Sequence, residues 1–123
     1  MIYTSYYANY KNLDDTAALV QISRSKPPSV FVNYVISAFM PSSNLLSKYK
    51  AGEVDEAMYT SEYIAQLDKY SDDRYKSFID WLLNQEKDVI FLCYEGKDKF
   101  CHRHILADYL NKKSKGVLNI QEL

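Results

Sequence analysis

The sequence predicts a three-layer α/β sandwich, with a short and mainly parallel sheet flanked by helices, folded as a single α/β domain over residues 1–123. Three observations carry this expectation. Val89-Ile90-Phe91-Leu92-Cys93 is an unbroken apolar run of strand length, the pattern of a central strand covered on both faces in a parallel sheet. A helical stretch and another β-prone segment follow it, giving a strand–helix–strand unit within about 35 residues. Helical spacing dominates the middle of the chain, between β-prone ends. At 123 residues the chain suits one domain and can bury a core without covalent staples.

Taken in order, Met1-Ile2-Tyr3-Thr4-Ser5-Tyr6 is β-prone and predicts an opening strand. Tyr7 to Asp15 reads as a polar loop, with Asn9, Asn12, Asp14 and Asp15 as turn formers. Ala18 to Ser23 fits a buried second strand, stopped at Arg24-Ser25-Lys26-Pro27-Pro28 because proline cannot continue a ladder. Ser29 to Phe39 is apolar, but its periodicity does not separate strand from helix. Pro41-Ser42-Ser43 offers a cap for a helix over residues 44–50, which Ala51-Gly52 closes. Val54 to Tyr70 carries Ala57, Met58, Tyr63, Ile64 and Leu67 at helical spacing, and Ser71-Asp72-Asp73 starts a further helix with Phe78, Ile79, Trp81, Leu82 and Leu83 toward the core. After the central strand, Tyr94 to Phe100 is a polar loop and Cys101-His102-Arg103 opens a helix that Gly116 ends. Val117 to Ile120 reads as the last strand.

Composition narrows the function classes. A net charge of −1 provides no global field toward nucleic acid or an anionic membrane, and the lysines are scattered, so duplex binding is not expected. No basic start with an apolar stretch marks a secretory signal, and no run of about 18 apolar residues marks a membrane span, so the cytoplasm is the expected compartment. Two cysteines do not make a secreted disulfide scaffold. Three arginines occur, Arg24, Arg74 and Arg103, and arginine is the side chain suited to bidentate grip on phosphate or carboxylate. The twelve tyrosines suit half-buried positions at a core's edge, and also ligand stacking.

The corner from Cys93 to Arg103 is the expected working site, because ligands of open parallel sheets gather where strands end and helices begin. A helix start favours an anion, whereas His102 and Arg103 are cationic residue types in that first turn and oppose the helix dipole. A bound anion explains their placement; a carboxylate such as Glu95 or Asp98 explains it as well. A phosphatase loop needs a thiolate and an arginine about five residues apart. Nine residues separate Cys93 from Arg103 and one separates Cys101 from it, so neither fits. Walker and dinucleotide glycine patterns are missing too. Cys93, Cys101, His102 and His104 are ligand types that zinc favours. Side chains of adjacent helical positions point roughly 100° apart, however, so Cys101 and His102 are not expected to share an ion with His104. Neither a metal nor a cofactor is expected. Cys93 reads as a small core hydrophobe as readily as a ligand contact, and Cys101 as structural or ligand-orienting, with a nucleophilic or redox-sensitive thiol as the alternative.

Cys93-Tyr94-Glu95-Gly96-Lys97-Asp98-Lys99-Phe100-Cys101-His102-Arg103, followed by Ile105-Leu106-Ala107-Asp108-Tyr109-Leu110, resembles the signature of the domain-of-unknown-function family 488. Ile2-Tyr3-Thr4-Ser5-Tyr6, Ile22-Ser23-Arg24 and the Pro41 to Tyr63 stretch look like its other segments, so the likeness covers most of the chain, with the Cys-His-Arg region its specific part. One departure is Gly96, where the family pattern more often has lysine; here Lys97 comes one place later. The resemblance implies a compact three-layer α/β fold. It also implies handling of nucleotides or bases, and small members of phage origin.

The expected function is therefore binding, with or without processing, of a phosphorylated small molecule, a nucleotide or nucleoside derivative. Arg103 and the helix start would hold phosphate, with Lys97, Cys93 and Cys101 nearby and Ser23 and Arg24 approaching from the neighbouring strand end. Tyr6 or Tyr7 would stack on a base. Glu95 and His102 are the acid–base candidates. Each has a plain structural alternative: loop packing for Tyr6 and Tyr7, a salt bridge to Lys97 or Arg103 for Glu95, loop contacts for Ser23 and Arg24. A second reading is a non-enzymatic, phage-type protein that sequesters a nucleotide signal, with a homo-oligomer expected if the ligand must be enclosed. A third is an interaction module presenting Tyr49, Tyr59, Tyr63, Tyr70 and Tyr75.

Overall fold

The computed structural model describes residues 1–123. Strands β1 (Ile2–Tyr6), β2 (Ala18–Gln21), β3 (Tyr34–Val35), β4 (Val89–Cys93) and β5 (Gln121–Glu122) form one sheet in the order β3-β2-β4-β1-β5. Every neighbouring pair is parallel. The unbroken apolar run is the middle strand: Phe91 of β4 lies opposite Thr4 of β1 on one side and Val20 of β2 on the other. Buried along its whole length, β4 needs apolar residues on both faces.

Helices α1 (Ser43–Lys50), α2 (Glu56–Leu67), α3 (Asp72–Leu83) and α4 (His102–Lys113) share one core with Val89, Phe91 and Cys93. Ile90 and Leu92, alternating to the other face, pack with Tyr7, Ala17, Leu19 and Val30. The third layer is thus thin, made of irregular chain and a 3-10 helix over Tyr7–Asn12 where a polar loop was expected. The first three α-helices begin on side-chain caps: Ser42, Asp55 and Ser71 accept from Leu45, Met58 and Arg74 N–H. No helix is long and apolar enough to cross a membrane.

Two expectations are corrected. Val117–Ile120 is not a strand; pairing begins at Gln121, opposite Tyr3. Side chains of α4 and its cap occupy the intervening backbone. Leu118 N–H donates to Ser114 Oγ, while Asn111 accepts from Ile120 N–H and donates to its carbonyl. Three of the five central tyrosines, moreover, are not presented at the surface. Tyr59, Tyr63 and Tyr75 are buried, and the Tyr63 and Tyr75 hydroxyls donate to the carbonyls of Phe39 and Leu67. A buried phenol needs such an acceptor, so Tyr63 and Tyr75 are core members with satisfied hydroxyls.

Candidate functional site

Neighbouring strands β2 and β4 send the chain in opposite directions, β2 toward β3 and β4 toward β5 across β1. Such a divergence opens a crevice at the carboxyl edge of the sheet. A cavity of about 340 Å³ occupies it. Ser23, Arg24 and Ser25 reach it from the end of β2, Tyr94 and Glu95 from the end of β4, and Cys101 and His102 from the start of α4. Helices α1 and α2 close the far wall with Leu46, Tyr49, Lys50 and Tyr59, next to Phe100. The volume lies within the usual range for small-molecule pockets.

One wall is aromatic. Tyr49, Tyr59 and Phe100 meet pairwise with ring centroids 5.1, 5.4 and 5.3 Å apart. Burial, with Glu95 and Tyr49 nearby, pushes the Tyr59 phenol far above its ordinary value, so it stays a neutral hydroxyl. The lining also carries two cations. Arg24 donates through Nη1 to the Pro41 carbonyl at 3.2 Å, which ties it to the wall, and Lys50 stands exposed at the end of α1. Neither forms a salt bridge. Tyr7 buttresses the floor from behind: its hydroxyl shares a 2.6 Å hydrogen bond with Ser23 Oγ, and its ring meets Tyr94 edge-on at 4.9 Å.

Arg103 is not part of this wall. Its side chain is fully buried and turned toward the sheet, where Glu122 of β5 grips Nε and Nη2, with the shortest contact at 2.8 Å. Nη1 donates to the Glu95 carbonyl at 2.6 Å and to Cys93 Sγ at 3.1 Å, and Nη2 to the Gly96 carbonyl at 3.1 Å. A guanidinium has five N–H donors, and these partners take all of them. Phosphate therefore finds no free donor on Arg103, and the carboxylate explanation for its position is the correct one, supplied by Glu122 rather than by Glu95 or Asp98. Tyr6 is likewise elsewhere, its ring 5.6 Å from the Arg103 guanidinium carbon. Burial raises the Glu122 carboxyl, but hydrogen bonds from Arg103 and Thr4 outweigh it and hold the group below its ordinary value.

Arg103 thus clamps the carbonyls of Glu95 and Gly96, in the loop from which Tyr94 and Glu95 reach the cavity. Of the expected site residues, Ser23, Arg24, Glu95, Cys101 and His102 come together there. Cys93, Tyr6, Tyr7, Lys97 and Arg103 do not line it. Lys97 is exposed on the loop, one residue before Asp98 takes the left-handed turn at φ 66. Sequence reasoning missed Ser25, Pro41, Leu46, Lys50, Tyr94 and Phe100 as wall residues, and placed Tyr49 and Tyr59 on the wrong surface. The abundance of tyrosine was the one available signal.

His102 has a divided role. It lines the cavity, yet burial pushes its ring below the ordinary histidine range, and Nε2 lies 2.6 Å from the Ile22 carbonyl oxygen. A carbonyl can only accept, so in the neutral ring Nε2 carries the proton and Nδ1 is a lone pair. That lone pair faces Cys101 Sγ at 3.6 Å, and Cys101 Sγ in turn is paired with Cys93 Sγ as a disulfide, so neither cysteine is free. Glu95 is the one carboxylate on the wall.

A family model described as the active DUF488-N3 subclade (DUF488-N3a) matches residues 2–114. Neither a curated protein nor a solved structure matches the chain. The match spans the sheet's first four strands, all four α-helices and the whole Cys93–Arg103 corner. By that match, the chain belongs to the DUF488 family, in its active DUF488-N3 subclade.

Proposed function

We propose that the cavity binds a phosphorylated small molecule with an aromatic part, a nucleotide or nucleoside derivative. One observation carries the reading: three touching rings line the cavity together with Arg24 and Lys50, two cations that form no salt bridge. Rings of this kind accept a base at about 1–3 kcal/mol per stacked base. An arginine beside them suits phosphate, so Arg24 takes the part first expected of Arg103. The volume of about 340 Å³ limits the guest to roughly the size of a mononucleotide.

Binding without turnover is favoured by the commitment of His102 to Ile22, which leaves Glu95 without the partner that an acid–base pair requires. Turnover is supported by the family's description as an active subclade.

A thermal-shift panel tests the reading, comparing nucleoside monophosphates with the matching nucleosides and with inorganic phosphate. A hundredfold excess over the dissociation constant stabilises by about 2.7 kcal/mol, on the order of 10 °C for a domain this small. The monophosphate is expected to shift the midpoint, and neither fragment to match it. Equal shifts with phosphate alone would count against the aromatic wall, and no shift with any nucleotide against the whole reading. Ligand recovered unaltered after heat denaturation identifies a binding protein; a new product identifies an enzyme.

A further inference from the structure

The first turn of α4 and the end of β4 bring together a group that the ligand reading leaves unused. Cys93 Sγ, Cys101 Sγ and a ring nitrogen of His102 all lie within 4.8 Å of one another, and the three residues are 0%, 3% and 6% exposed. The expectation against metal placed Cys101 and His102 on one helix, pointing apart. In fact Cys101 is the residue before the helix, with extended backbone at φ −157 and ψ 146, and its side chain makes no capping hydrogen bond. Freed from helical geometry, it converges with His102 on the end of β4. His104 takes no part.

We propose that, once the Cys93–Cys101 pair is reduced, Cys93, Cys101 and His102 form a three-ligand site for a thiophilic divalent cation, zinc in the first instance, with the fourth position facing the cavity. Four arguments support it. Ligands held tetrahedrally at about 2.0–2.3 Å from zinc stand roughly 3.4–3.8 Å from one another. Cys101 Sγ and His102 Nδ1 are already 3.6 Å apart. The Cα atoms of the two cysteines are 7.8 Å apart. Disulfides usually span about 4.4–6.8 Å, so this frame suits an ion between the sulfurs once they part.

The outer shell is also built. Nε2–H of His102 donates to the Ile22 carbonyl at 2.6 Å, the bond that fixes a metal-binding imidazole and aims its other nitrogen. Arg103 Nη1 donates to Cys93 Sγ at 3.1 Å, as a donor to a coordinated thiolate does, and Glu122 balances the arginine's charge. Two thiolates would neutralise the dication, so a site this deeply buried carries no uncompensated charge. Finally, Cys101 and His102 lie on the cavity wall while Cys93 lies behind it, which leaves one side open. Three protein ligands with an open position is the arrangement of sites that also take water or a ligand oxygen. The proposal stands on these residues alone and needs no nucleotide.

Titration of the reduced, chelator-treated full chain with cobalt(II), used as a spectroscopic substitute for zinc, tests it. Expected are one equivalent bound, a thiolate-to-cobalt charge-transfer band in the near ultraviolet, intense visible bands of four-coordinate cobalt, and loss of all of them on adding zinc. Losing an outer-shell partner weakens metal sites about 10–100-fold, and Cys101→Ser or His102→Ala should cost at least that. His104→Ala should change nothing. Should a variant fail to fold, the unaltered chain still decides the matter, because the charge-transfer band requires sulfur on the ion. A reduced protein that takes up no cobalt, or takes it up without that band, overturns the proposal. So does a cysteine pair that reacts with thiol reagents only after reduction and then still binds no ion.

Discussion

At the scale of single residues, the lesson lies in Arg103. Its position just inside a helix start, where a cation opposes the dipole, correctly marks it as held by an anion. The sequence does not reveal which anion, because Glu122 lies 19 residues further along and past the segment that reads as the last strand. Only sheet pairing, with Thr4 opposite Glu122, brings the carboxylate beneath the guanidinium. Glu122→Gln tests this pair. Removing one member of a buried ion pair costs about 3–5 kcal/mol, and because glutamine keeps an acceptor the lower end is expected, read by urea denaturation. The pH dependence follows from the depressed Glu122 carboxyl. A carboxylate with a lowered folded pKa contributes fully above its unfolded value, about 4.3, and loses that contribution as pH falls through the folded value. Wild type should therefore lose stability below about pH 4.5 more steeply than Glu122→Gln. Parallel curves would place the clamp's energy elsewhere.

At the scale of elements, local chemistry was read well where it acts locally. Ser42 and Ser71 cap the helices they were expected to open, and Gly116, at φ 83, lies just beyond α4. The α2 start differs by two residues, because the cap is Asp55 rather than the apolar Val54 that begins the periodic pattern. Asp55→Ala should cost about 1 kcal/mol, visible as a lower midpoint in thermal unfolding and as faster amide exchange in the first turn of α2. No loss would mean that packing alone fixes that helix start. The misread segments are those decided by distant partners. Residues 117–120 carry strand-like residues, yet Ser114 and Asn111 claim their backbone first. Tyr34–Val35, ambiguous by periodicity, becomes a strand because β2 has a free edge for it.

At the scale of the whole molecule, the parallel sheet was legible in one strand, since Val89–Cys93 needs cover on both faces. The strand order was not, because it depends on β1 inserting between β4 and β5. That order positions the cavity: it makes the chain diverge between β2 and β4, with α1 and α2 lining the crevice and Arg103 outside it. Of the expected corner, Ser23, Arg24, Glu95, Cys101 and His102 line the cavity while Arg103 and Lys97 do not, and the proposed reading exchanges those two for Arg24, already expected there, and Lys50. Calorimetric titration of a nucleoside monophosphate into wild type, Arg24→Ala and Lys97→Ala measures that exchange directly. Loss of a charge-assisted hydrogen bond of about 1.5–3 kcal/mol should weaken Arg24→Ala by roughly 10–100-fold, with Lys97→Ala binding as wild type does. Undiminished binding by Arg24→Ala, or an equal loss in Lys97→Ala, would contradict the account.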